Sequence, residues 1–206
     1  MSIRLSRGPV LLVACSLWAA CSKGENKGDS LAMGDTSKLA PAAATTPPPA
    51  PPLTDVNIVA ILDGANAADS SVGRMASTKG TNAEVKAFGV MMMRDHHTLR
   101  KQGEDLVKKL NVTPAMPAGD TSQAAAKAWE DNLNAMPKGA AWDKAYIDHE
   151  VAYHQAVLQT ATAAEAAAQN PELKALITKA APNIQGHLAK AQEIATKLAA
   201  APPPKP

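Results

Sequence analysis

Between residues 54 and 200 the apolar side chains recur in steps of three and four, and no window alternates with period two over β-branched residues. Such spacing lines up one face of a helix, so this part of the chain has to bury helix faces against other helices. Abundant alanine, with Val, Ile and Thr scattered, favours the same outcome. The pattern predicts a first helix from about Thr54 to Ser77, opened by Thr54 or Asp55 and ended at Lys79-Gly80-Thr81. Thr81 followed by Glu84 reads as a capping box for the second helix. That helix carries Val85, Phe88, Met92, His96, Leu99, Gly103, Leu106 and Leu110 on one seam. Pro114 and Pro117 break the chain, Thr121 to Asn134 makes a shorter helix, and Pro137-Lys138-Gly139 stops it. A fourth segment runs from about Ala141 to Gln169, and Pro171 starts a last helix that reaches Ala200.

The expected architecture is all-α. Two tight hairpins of long helices, joined by a crossover of nearly thirty residues with a short extra helix, give the ferritin-like four-helix-bundle connectivity. A five-helix bundle with only short loops is the alternative. About 147 residues suffice for such a core.

Of the 16 prolines, six lie between Pro41 and Pro52 and four between Pro202 and Pro206. Residues 21–53 therefore read as a disordered Ala/Pro-rich tether and residues 201–206 as a disordered tail. Residues 1–20 read as a signal: Arg4 and Arg7 precede an apolar run, Pro9 to Ala20, too short to span a bilayer. Its end, Leu17-Trp18-Ala19-Ala20-Cys21, resembles a bacterial lipoprotein signal, with Cys21 as the lipidated residue. Leu12-Val13-Ala14-Cys15 is the competing site, and a simple cleaved secretory signal is the other reading. The expected location is outside the cytoplasm, on the periplasmic side of the envelope as an outer-membrane lipoprotein, with the membrane as partner through the lipid. Both cysteines fall in the first two dozen residues, so no cysteine zinc site or disulfide framework serves the fold. Residues 54–200 hold 15 Lys and Arg against 16 Asp and Glu, which argues against nucleic-acid binding.

Three of the five histidines fall on seams: His96 on the second helix, His154 on the stripe Ile147, Val151, Leu158, and His187 on the last helix. His154 and His187 lie about sixteen residues either side of the turn at 170–171, and His96 and His154 lie equally deep in their helices. At 1.5 Å per residue the three share one level to within about a turn. On the first helix that level falls near Asp63, with Asp69 a turn and a half nearer the hairpin. Three imidazoles and a carboxylate are a sufficient ligand set for Zn, Cu, Fe or Mn. Asp95, Glu150, Tyr146 and Asp63 are candidate supports, and Met92, one turn before His96, would suit copper. The competing reading is a structural polar network in which Asp95 and Glu150 satisfy the rings without metal. His97 and His149 fall off the stripes and are expected in solvent. Pro182 and Gly186 are expected to kink the last helix before His187.

The same residues resemble the bacterial family named domain of unknown function 4142. The resemblance covers about residues 54–200. It rests on Asp69 with Gly73 and Ala76, Glu84 to Phe88 running on to Met92 and Asp95-His96, Trp142-Asp143 with Tyr146, Val151 and His154, and Pro182 with His187-Leu188. It implies an exported, ferritin-like fold and marks Asp69, His96, His154 and His187, one per long helix. Asp69 stands where the family commonly has Glu, and Trp142 where Phe is usual. Three functional readings follow. One is a metal-binding or metal-buffering module, or a weak oxidoreductase. Another is an envelope scaffold or stress-related binding module, and the last a small-ligand cavity lined by Tyr146 and Tyr153. No nucleophile–base constellation, phosphate-cradling glycine loop or paired Glu-x-x-His pattern is present, which weighs against an enzyme.

Overall fold

The structure, a computed structural model, describes residues 53–200. Cys15, Cys21 and the expected signal, tether and tail lie outside them. Five helices follow in order: α1 (Asp55–Lys79), α2 (Ala83–Leu110), α3 (Ser122–Ala135), α4 (Ala140–Ala167) and α5 (Pro171–Ala200). The boundaries follow local chemistry. Thr54 caps α1 through a capping box closed by Asn57. Asn82, not Thr81, caps α2, its side chain accepting from the Glu84 and Val85 amides. Thr81 is one residue too early, and its hydroxyl bonds Asp143 instead. Asn111 ends α2 in the left-handed region, which its short polar side chain tolerates. Asn170 accepts from the Glu172 and Leu173 amides at the start of α5. Pro182 stands inside α5, which continues through it.

Helices α1 and α2 form one antiparallel hairpin, and α4 and α5 the other. Because the crossover carrying α3 returns the chain to the α1–α2 turn, α2 and α4 run parallel: Phe88 faces Tyr146, and His96 faces His154. This is the ferritin-like connectivity. Each hairpin turn is held by an aspartate of the other hairpin. Asp143 of α4 accepts from the Thr81 and Asn82 amides at 2.9 and 2.8 Å. Asp55 of α1 accepts from the Gln169 and Asn170 amides at 2.9 and 3.0 Å. These clamps at both ends fix the register of one hairpin against the other. In the upper half, nearer the α1–α2 turn, α1 and α2 meet backbone to backbone. A Cβ on Gly89 would lie 2.5 Å from the Gly73 carbonyl oxygen.

The interior is two apolar cores rather than one. The upper core joins Val72, Phe88, Met92, Trp142, Tyr146 and Ile194, with Leu133 of α3. The lower core joins Ile58, Val59, Leu106, Ala164, Leu173 and Ile177. Between them lies a belt of buried polar side chains.

Candidate metal centre

Asp69 of α1, His96 of α2, Glu150 and His154 of α4, and His187 of α5 are each no more than 3% exposed. Ionisable groups are rarely this buried unless partnered, so their hydrogen bonds need accounting for one by one. The three ring centroids stand 5.2 to 5.8 Å apart. One nitrogen from each ring lies within 4.8 Å of the other two.

In every ring one nitrogen is committed as a donor. His96 Nδ1 lies 2.7 Å from Asn66 Oδ1. The amide of Asn66 is oriented by its own donation to the Leu62 carbonyl at 2.7 Å, so its oxygen faces the ring. His154 Nδ1 lies 2.9 Å from the Glu150 backbone carbonyl, and His187 Nε2 lies 3.0 Å from Asp95 Oδ2. A carbonyl or carboxylate oxygen only accepts, so the proton of each neutral imidazole sits on that nitrogen. The opposite nitrogens, His96 Nε2, His154 Nε2 and His187 Nδ1, are buried and without a hydrogen-bond partner. Each presents a lone pair to the belt.

Asp69 meets two of these lone pairs. Its Oδ2 lies 2.9 Å from His96 Nε2 and 3.3 Å from His154 Nε2. A carboxylate facing neutral ring lone pairs is repulsive unless a proton or a metal cation sits between them. Three adjacent imidazolium ions at about 5.5 Å would repel by about 3 kcal/mol per pair at an effective dielectric of 20. Protons therefore do not serve all three rings together.

Burial pulls the Asp69 carboxyl upward, but a hydrogen bond with His96 and attraction to His96 and His154 outweigh it, leaving it below the ordinary value; that balance requires a proton or another cation on the side of the rings that faces Asp69. Burial, then repulsion from Asp69, raises Glu150 well above the carboxylate range and keeps it a neutral acid. Its Oε2 lies 3.3 Å from His154 Nδ1. Burial, with Glu150 and Asp69 adding, also raises the Tyr146 phenol. Burial, with the two other rings adding, lowers His187. Arg94, 2.7 Å from Asp95, holds that carboxyl low, as does the contact with His187.

The four residues marked from sequence, His96, His154, His187 and Asp69, thus come together in one place. Asp95 and Glu150 sit behind rings as expected. Tyr146 stacks on Trp142 above the belt, and Met92 fills the upper core. Asp63 is a correction: it pairs with Arg100 at 2.8 Å on a half-exposed face. The belt position assigned to it belongs to Asn66, which equal counting from the α1–α2 turn places opposite His96. Asp69 reaches the same level because helical side chains lean toward their own N-terminus. On α1 that direction is downward, and on α2 it carries His96 up to meet it. His149 is a second correction. It is half-buried, stacked between Trp129 at 4.2 Å and Tyr153 at 5.4 Å, and burial lowers it to about 4. Its partner Trp129 comes from α3, whose docking the periodicity of α4 does not reveal. His97 is exposed, as expected.

Comparison with known proteins gives family and fold. The family model described as Domain of unknown function (DUF4142) matches residues 39–194. A DUF305 fragment from Deinococcus radiodurans superposes with a TM-score of 0.61 at 14% identity, covering 71% of this chain and 99% of that one. CopM in its Cu(II)-bound form superposes with a TM-score of 0.55 at 15% identity, covering 70% of this chain and 98% of that one. No curated protein matches the sequence.

Proposed function

This chain belongs to the DUF4142 family, and we propose that its helical domain is a transition-metal-binding module with His96, His154, His187 and Asp69 as ligands. One observation carries the reading: three buried imidazoles, with one nitrogen from each within 4.8 Å of the others, each have a second nitrogen held by a fixed oxygen, and the inward nitrogens of His96 and His154 lie 2.9 and 3.3 Å from the buried Asp69 carboxylate. Metal-bound histidines show that pattern, the far nitrogen donating to a carbonyl or carboxylate. A purely structural network would need protons on the inward nitrogens, and three imidazolium rings this close repel one another. Imidazole and carboxylate ligands suit Zn(II) and Cu(II), with Mn(II) and Fe(II) as further candidates. The Cu(II)-bound state of the similarly folded CopM supports copper in particular. A bound ion would supply Lewis acidity, and copper or iron also one-electron exchange. Asn66, the Glu150 carbonyl and Asp95 orient the rings. The role that follows is metal binding or buffering. We place the module outside the cytoplasm, tethered through a lipid on Cys21, because Arg4, Arg7 and the apolar run before Cys21 have the order of a lipoprotein signal.

Titration of the purified, metal-stripped protein with Cu(II) and Zn(II) tests the proposal. One equivalent is expected to bind, with uptake lost in His154→Ala. Uptake no greater than in the His96, His154, His187 triple alanine variant would overturn it and leave the belt as a structural network in a scaffold or binding module.

A further inference from the structure

Below the polar belt the bundle is hollow. A cavity of about 440 Å³ runs between the helices from the belt toward the α4–α5 turn. The sequence accounts for it. The described aromatics, Phe88, Trp129, Trp142, Tyr146 and Tyr153, all come from segments at or above the belt. Below it, small residues such as Ala60, Ala161, Ala180 and Gly103 line the space. A Cβ on Gly103 would meet nothing within 4 Å. The α2–α3 connection closes one side through Pro114 and Met116. It is pinned to α1 by Asn57 Nδ2 donating to the Ala115 carbonyl at 2.8 Å and by the Ala115 amide donating to Val56.

The walls and the two ends differ in chemistry. Leu62, Leu99, Val157, Leu176 and Ile177 make the middle aliphatic. At the outer rim the Asp63–Arg100 ion pair is partly exposed. At the inner end stand Asp69 and His96, both buried, both lining the space, and both carrying atoms without a hydrogen-bond partner. That end offers acceptors only.

We propose that this cavity binds a neutral, medium-chain amphiphile: an aliphatic body with a single hydroxyl that donates to the free oxygen of Asp69. The volume lies in the range of small-molecule sites, about 300–1,000 Å³. The head group must donate, since its partners only accept. A carboxylate head would face the Asp69 carboxylate, and an ammonium head would have to shed its hydration shell, a cost that one buried carboxylate repays only in part. Tyr153 lines the chamber, as the sequence suggested, whereas Tyr146 lies in the upper core. The head group shares the Asp69 carboxylate with the proposed metal ligands, but body and head are recognised without an ion, so metal-free protein tests this site by itself.

The test is calorimetric titration of the full, chelator-treated protein with 1-octanol, octanoate and octylamine as probes. Saturable one-site binding of 1-octanol is expected, at least tenfold tighter than either charged probe. Gly103→Leu and Ala161→Leu, which fill the chamber from α2 and α4, are expected to weaken it at least tenfold while the far-ultraviolet spectrum stays helical. No saturable binding of 1-octanol, equal binding of octanoate or octylamine, or full binding in both filled, folded variants would overturn the proposal. Should the filled variants unfold, the comparison of the three probes decides alone. Loss of metal uptake with 1-octanol binding intact would sink the metal reading and leave this one standing.

Discussion

Asn66→Leu is the sharpest perturbation of the belt, because it changes neither a candidate ligand nor the helix. Leucine keeps the branched heavy-atom skeleton of asparagine and is a better helix former, so α1 is expected to persist. What disappears is the acceptor 2.7 Å from His96 Nδ1. With a metal on Nε2, the Nδ1–H would be a buried donor without a partner, at a cost of about 1–3 kcal/mol. At about 1.4 kcal/mol per decade, affinity should fall roughly 5- to 150-fold, which overlaps the 10- to 100-fold range for such supporting partners. Without metal the ring is free to shift its proton to Nε2 and turn toward Asp69, 2.9 Å away, so the apo fold should lose less than the complex. The assay is competition for Zn(II) against a chromophoric chelator, with urea unfolding of the apo protein alongside. Asn66→Asp keeps an acceptor at that position and should restore most of the affinity. Unchanged affinity in Asn66→Leu, or equal losses in the leucine and aspartate variants, would refute the idea that ring orientation is set from behind.

Two further outcomes are expected. Gly89→Ala should destabilise the protein by about 1–3 kcal/mol, because the new Cβ meets the Gly73 carbonyl at 2.5 Å and neither backbone can yield; a shift of the urea midpoint measures it. His149, lowered to about 4 by burial between Trp129 and Tyr153, binds its proton more readily unfolded than folded. Its contribution to stability is therefore present above about pH 6.5 and lost as pH falls from there toward 4, and His149→Phe should flatten that part of the urea-midpoint profile. A profile equally steep in the variant would assign the loss to other groups.

The split of the interior into two cores explains how one chain accommodates both proposed sites. The aromatic side chains and the Gly73–Gly89 contact compact the upper half, and the Asp143 clamp holds its turn. The lower half is closed by aliphatic residues and by a strap rather than by bulk. The belt lies where the two meet, its side chains buried, which raises the cost of every unpaired atom in it.

Helix positions, the hairpin order, the parallel run of α2 and α4, and the inward faces of His96, His154 and His187 were legible in the sequence. These depend on local quantities: seam spacing, prolines and caps, and loop length. Counting along rods then placed three rings at one level, because rise per residue is fixed. The tertiary structure alone decided what surrounds the rings. A helix turns about 100° per residue, so a level misjudged by three residues exchanges Asp63 for Asn66. Likewise the lean of side chains toward the N-terminus, not their level, brings Asp69 to His96. Which nitrogen of each ring keeps its proton depends on a backbone carbonyl, an amide and a carboxylate from three different helices. The empty chamber depends on what small residues fail to fill. Neither leaves a periodic trace, because both are sums over neighbours that only folding brings within reach.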